Sequence, residues 1–408
     1  MMKKRLFIIV VVLIILAIIG IFYKTKLSKN NDNIITNNVS DFKENIVAIN
    51  TDENFQNEVI EENSNQTNDL FSEFYDEAEE ILSKMTLEEK VGQMFLVRFP
   101  SSGVISEIED YSPAGYILFG KDFEDETKNS IKQKLQNCQN ASKIPLALGV
   151  DEEGGTVVRV SMYKSFRESP FKSPREVYAS GGMNSIISDS HEKNALLKSI
   201  GINMNLTPVV DIPEDSNDFI YDRAFSTDVE KVKDFTNKII NTMKSDNITS
   251  VMKHFPGYGN NVDTHTGIAV DKRSYSNFEN RDFIPFKEGI KEGAPAILVS
   301  HNIVECMDAS MPASLSSNVH NVLREKLEFT GLIITDDLAM DAVKEYVENG
   351  NATTQAVLAG NDLIISSDFV NQKSEVMESI KKGDISEDII DTAVRRVLAW
   401  KICYGIIE

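Results

Sequence analysis

Eight short apolar runs punctuate the chain, and segments with helical spacing alternate with them. The runs are VGQMFLVRF (91–99), GYILFG (115–120), PLALGVD (145–151), INMNLTPVVD (202–211), SVMKHFP (250–256), AILVSH (296–301), GLIITDD (331–337) and NDLIIS (361–366). Near-continuous apolar strands separated by helices imply a parallel sheet buried on both faces. Eight such units predict an α/β chain that closes into a single (β/α)8 TIM barrel. An open doubly wound sheet is the rival, but no run leads into a Gly-rich dinucleotide turn.

Polar residues collect where the runs end: Asp151, Asp211, His254, His301 and Asp336. A charge in the middle of a barrel strand would be costly to bury. At the C-terminal rim, where this architecture builds its sites, the same charge can face a substrate. Asp and His also start turns and cap helices. The repetition at five run ends, more than any single residue, points to a site there.

The first residues are of another kind. MMKKR precedes LFIIVVVLIILAIIGIFY, residues 6–23, which holds no charge. That is long enough for a membrane-spanning helix, and no small-residue cleavage site follows it. The expectation is a cytoplasmic tail (1–5), a single-pass signal anchor (6–23), and a linker (24–70) whose Asn, Asp, Glu and Ser content predicts disorder. The catalytic domain (71–408) would then lie on the extracellular side of the cell membrane, or be secreted if the anchor is cleaved. A net charge of −21 excludes a polyphosphate partner, so no nucleic acid is expected. Cys138, Cys306 and Cys403 fit neither a disulfide framework nor a zinc site and read as small buried apolar residues.

The segments TLEEKVGQMFLVRF, DEEGGTVVRV, YDRAFS, KHFPGYGNNVDTHTG, PASLS and GLIITDDLAM follow one another in a stretch that runs from about Met85 to the C-terminus. In content and order they resemble glycoside hydrolase family 3, in its β-N-acetylglucosaminidase (β-hexosaminidase) branch. The resemblance implies that Asp336 is the catalytic nucleophile and that Asp263 and His265 form the acid/base dyad. It implies that Asp151, Arg159, Arg223, Lys253 and His254 hold an N-acetylglucosamine ring, with no cofactor and no metal. The substrate would be a carbohydrate with a terminal non-reducing β-N-acetylglucosamine, and the location suggests cell-wall (peptidoglycan) fragments. The chain departs from the family pattern at Tyr258 (usually His), Asn260 and Asn261 (Asp-Thr) and Ile268 and Ala269 (Leu-Pro). DEEGGT also replaces DQEGGR.

The residues make chemical sense on their own. A retaining glycosidase needs a carboxylate on one face of the sugar and a proton donor at the glycosidic oxygen. Histidine can donate near neutral pH, and an aspartate two residues away can orient its ring. Periodicity cannot choose between Asp336 and Asp337, since neighbours on a strand point to opposite sides; Asp337 stands where a helix N-cap is wanted. Gly257 and Gly259 read as backbone freedom for the loop that carries the dyad. His301 is open between a structural and a ligand role. Two other readings compete. A catalytically weak surface sugar-binding protein would not need the nucleophile and dyad. A metal-dependent hydrolase on this barrel would need a His-x-His after the first strand, which FLVRFP lacks.

Overall fold

The structure is a computed structural model that describes residues 69–261, 269–339, 343 and 352–408. The expected tail, anchor and nearly all of the expected linker lie outside the described residues, as do Asp263 and His265. Among the described residues no helix is long and apolar enough to cross a membrane.

Each apolar run contains a strand: β1 Phe95–Arg98, β2 Gly115–Leu118, β3 Ala147–Val150, β4 Met204–Asn205, β5 Thr249–Phe255, β6 Ala296–Val299, β7 Leu332–Thr335 and β8 Ile364–Ser366. All pair in parallel, in the order β8-β1-β2-β3-β4-β5-β6-β7. A bridge between Ile334 and Leu363 joins the two ends, so the barrel is nearly closed. Every strand residue except Arg98 is buried. That explains why the runs read as continuous rather than alternating: side chains on one face fill the barrel and those on the other meet the helices.

The helix Val229–Ser245 shows how the outer layer is held. Val232, Phe235, Thr236, Ile239, Ile240 and Met243 are buried, the three-and-four spacing of one helix face. Asp228 caps it by accepting from the backbone N–H groups of Glu230 (3.0 Å) and Lys231 (3.2 Å).

Three expectations need correction. Val91 and Gly92 belong to the helix Leu87–Gly92, and the first strand begins only at Phe95. Thr86 and Glu89 form a reciprocal capping box that starts this helix, and a short apolar run cannot by itself distinguish a buried helix from a strand. Asp69 and Leu70 are not linker: Tyr75 donates its hydroxyl to Asp69, and the Leu70 N–H donates to Thr330 Oγ1 at 3.0 Å. Cys306 is exposed, whereas Cys138 is buried as expected.

The end of the barrel where the strands begin is closed by the last helix, Glu387–Cys403. Trp400, fully buried, donates its indole N–H to Thr249 Oγ1 at 3.1 Å. Lys401 is fully buried too, and its ammonium donates to Gln93 Oε1 at 2.8 Å. Burial pushes its pKa down to about 7. Between that value and the ordinary 10.5 the unfolded chain binds the extra proton, so stability rises with pH across this window. Lys401→Met removes the cost of burying the charge. Thermal melts should therefore show the variant more stable than the parent by several degrees near pH ~6, with the gap closing towards pH ~10. A gap that stays constant with pH would mean that Lys401 titrates alike in the folded and the unfolded chain.

Candidate active site

A cavity of about 470 Å3 opens at the C-terminal rim of the barrel. Six of the eight residues singled out from sequence line it: Asp151, Arg159, Arg223, Lys253, His254 and Asp336. They come from the ends of β3, β5 and β7 and from the loops after β3 and β4. The other two, Asp263 and His265, fall in 262–268, outside the described residues.

The cations are organised by a residue that sequence reasoning missed. Glu153 is 3 % exposed. Its Oε1 lies 2.7 Å from Lys253 Nζ, and Arg223 donates to both of its oxygens, at 2.7 and 2.9 Å. Lys253 also reaches Asp151 Oδ1 at 2.6 Å. Burial by itself would raise the Glu153 pKa; the charges of Lys253 and Arg223 outweigh it and hold the carboxyl well below its usual range. On Lys253 burial opposes the charge, and Asp151 and Glu153 raise the pKa above its usual value despite it. The ammonium and guanidinium are thus fixed in place and charged before any ligand arrives. Glu152, next in sequence and fully buried, does a different job. Its carboxylate accepts from the backbone N–H groups of Arg159 (2.8 Å) and Val160 (2.7 Å), which turns the loop so that Arg159 lines the cavity.

Asp211, read from the sequence only as a polar run end, sets the histidine. Asp211 Oδ2 accepts from His254 Nδ1 at 2.7 Å and from the His254 backbone N–H at 3.1 Å. Arg223 Nη2 stands 3.3 Å from His254 Nε2. A guanidinium can only donate, so Nε2 accepts and the ring proton sits on Nδ1. Lys253 and His254 both line the cavity although they are neighbours on β5, whose register with β6 slips between Met252 and Phe255.

Asp336 and Asp337 part company here. Asp337 Oδ1 accepts from the N–H groups of Ala339 (2.9 Å) and Ser367 (3.1 Å), and its other oxygen accepts the Ser367 hydroxyl. It serves the backbone; most of the helix that its N-cap reading supposes lies outside the described residues. Asp336 Oδ1 accepts the Asp337 N–H at 2.8 Å; both aspartates line the cavity, and their hydrogen bonds tell them apart. His301 is buried, with Nδ1 2.7 Å from Ser314 Oγ and Nε2 3.1 Å from the Asp337 carbonyl oxygen, so it braces the turn after β7.

The loop after β5 is anchored at its base. Arg273 donates to Asp271, to Asp282 and, at 3.0 Å, to the Gly257 carbonyl oxygen. Asn261, one of the departures from the family pattern, donates to Asp271 Oδ2 at 2.6 Å. Tyr258, another, donates its backbone N–H to Asp211 at 2.7 Å and sets its ring edge-on to His254. The glycines therefore differ from the expected source of freedom. Gly257 (φ +130°) and Gly259 (φ +55°) adopt backbone conformations that disfavour side chains. A Cβ on them would stand 2.4 Å from Asp282 and 2.5 Å from Arg273. They permit close packing rather than swing.

Residues 86–400 match the family model described as "Glycosyl hydrolase family 3 N terminal domain". The chain belongs to glycoside hydrolase family 3. It is a glycosidase. Among similar proteins, the beta-hexosaminidase of Xylella fastidiosa (strain M23) is 30% identical over 307 residues, covering 74% of this chain and 90% of the relative. That of Nitrosomonas eutropha is 28% identical over 277 residues, covering 65% and 77%. A family 3 beta-N-acetylglucosaminidase from Paenibacillus sp. str. FPU-7 superposes with a TM-score of 0.73 at 26% identity, over 79% of this chain and 63% of that one.

The Glu153 cluster generates a test. Glu153→Gln leaves two buried cations short of a counter-charge and should cost about 3 kcal/mol at neutral pH. The carboxylate's contribution is fully present above pH 4.5, its ordinary pKa, and is lost as pH falls below that value towards the depressed one. Urea unfolding of parent and variant should therefore converge in acid; an equal gap at neutral and acid pH would remove Glu153 from this role.

Proposed function

We propose that this glycosidase is a retaining exo-β-N-acetylglucosaminidase. The observation that carries the reading is the rim cavity that gathers Asp336 with Asp151, Arg159, Arg223, Lys253 and His254. The relatives named above, beta-hexosaminidases and a beta-N-acetylglucosaminidase, support the choice of sugar. The donors of Arg159, Arg223 and Lys253 and the acceptors His254 Nε2 and Asp151 suit the hydroxyl groups of a neutral ring.

In the first step a carboxylate oxygen of Asp336 attacks the anomeric carbon. The bond to the leaving oxygen breaks, and His265 gives that oxygen a proton. In the second step His265 takes a proton from water, whose oxygen attacks the same carbon and releases Asp336. Asp263 orients the His265 ring and favours its charged form, as a carboxylate does for the histidine of a serine protease. Two displacements restore the β configuration. The substrates are cell-wall fragments with a non-reducing terminal N-acetylglucosamine. The apolar run 6–23 tethers the enzyme to the membrane, with residues 71–408 on the outer side.

The test is turnover of nitrophenyl β-N-acetylglucosaminide by the full chain, beside the corresponding β-glucoside. The first should be cleaved and the second left almost untouched, and Asp336→Asn should lower kcat/KM by about 10³-fold or more. Proton NMR of the first-formed sugar should show the β anomer; the α anomer would rule out the double displacement. His265→Ala should flatten the alkaline limb of the pH profile, because that limb reports loss of the donor proton.

A further inference from the structure

Arg98 is the only residue of the eight strands that is not buried, and it ends β1 at the rim. It lines the cavity that holds Asp336 and Arg159. It also lines a second cavity of about 280 Å3, together with Pro100, Ser101, Lys121 and Ser367. A wall residue common to two cavities marks where one adjoins the other.

The guanidinium carbon of Arg98 lies 3.9 Å from the centre of the Phe119 ring. Among the described residues no carboxylate, carbonyl or hydroxyl accepts a hydrogen bond from it. A second guanidinium, that of Arg159, is 5.8 Å from the same ring centre, and its Nε is buried without a partner. The other cations of the site are treated differently, since Arg223 and Lys253 both meet carboxylates. The chain has 63 acidic residues against 42 basic ones, so a counter-charge for Arg98 was readily available to the fold. Arginine cannot shed its proton, and a guanidinium over an aromatic face keeps its N–H edges for a planar acceptor. Two acids also line the second cavity, and neither bonds Arg98. Glu107 accepts the Tyr116 hydroxyl at 3.0 Å, and Asp368 accepts from Asn371 at 2.8 Å.

We propose that Arg98 is a specificity-determining residue that binds an anionic oxygen group, carboxylate or phosphate, carried by the leaving group of the glycoside, and that the second cavity receives that leaving group. The inference rests on the reading that the first cavity holds the N-acetylglucosamine ring. Lys121 adds a further positive charge to the same wall.

Two glycosides that differ in one group test it: 4-carboxyphenyl and 4-carbamoylphenyl β-N-acetylglucosaminide. Their binding is measured by calorimetry on the full chain carrying Asp336→Asn, so that neither is consumed. The acid should bind about tenfold more tightly than the amide, the scale of one charge-assisted contact. Adding Arg98→Gln should erase the preference. Adding Arg98→Lys should keep part of it, since the charge stays and the fork is lost. Raising salt from ~0.05 to ~0.5 M should shrink it. Equal binding of the two glycosides, or a preference that survives Arg98→Gln, overturns the proposal. Turnover by the intact chain is a separate measurement: its failure would sink the proposed activity, while the binding comparison still decides the role of Arg98.

Discussion

A carboxyl group as buried as that of Glu153 would ordinarily hold its proton, because removing its charge from water costs more than any single neighbour returns. Here two cations stand within hydrogen-bond distance, and each needs the carboxylate as much as it needs them. Lys253 comes from β5 and Arg223 from the loop after β4, while Glu153 itself follows β3. One carboxylate therefore ties three consecutive strand ends together. The arrangement is poor as a source of net stability, since a well-packed apolar substitute often serves a fold as well. Its value lies in fixing ammonium and guanidinium groups at the mouth of the barrel before substrate binds. A ring entering the site then meets donors whose ordering has already been met by folding.

Asp211 extends the same logic towards the loop after β5. One carboxylate accepts from the His254 ring, the His254 backbone and the Tyr258 backbone. It thus couples the tautomer of a cavity-lining histidine to the path of the chain as it leaves β5. Arg273 holds that path from the other side through Asp271, Asp282 and the Gly257 carbonyl. A short parallel ladder, Val270–Asp271 against Ile303–Val304, fixes the chain where it returns. The base of the loop is rigid on both sides, and the two glycines are part of that rigidity.

The fold was legible because a closed parallel barrel imposes one simple pattern: buried apolar strands with polarity displaced to an end. All eight runs carried a strand, and Asp151, Lys253, His254 and Asp336 stood at the rim as their run ends implied. What could not be read were partnerships between segments distant in sequence. Glu153 and Glu152 are adjacent acids in DEEGG, yet one pairs with cations 70 and 100 residues away and the other folds its own loop. Local spacing carries no trace of that division. Asp211 was visible only as another polar run end, and nothing local tied it to His254. The first strand was over-extended for a different reason: Val91 and Gly92 are as buried in a helix as they would be in a strand, so hydrophobicity alone gave no boundary.

The same accounting of charge gives meaning to what is left over. Within the described site most charges are balanced internally: Lys253 against Asp151 and Glu153, Arg223 against Glu153, and the Asp211 carboxylate committed to His254 and a backbone N–H. A cavity built this way favours a neutral, hydroxyl-rich ligand, because any added charge would compete with bonds already made. Arg98 stands outside that balance, at the junction with the second cavity and on the strand that opens the barrel. The rim thus has cations paired with carboxylates on one side and, on the other, an arginine stacked on Phe119 with no carboxylate bonded to it. A glycoside whose sugar is neutral and whose leaving group is acidic matches both the self-paired pocket and Arg98.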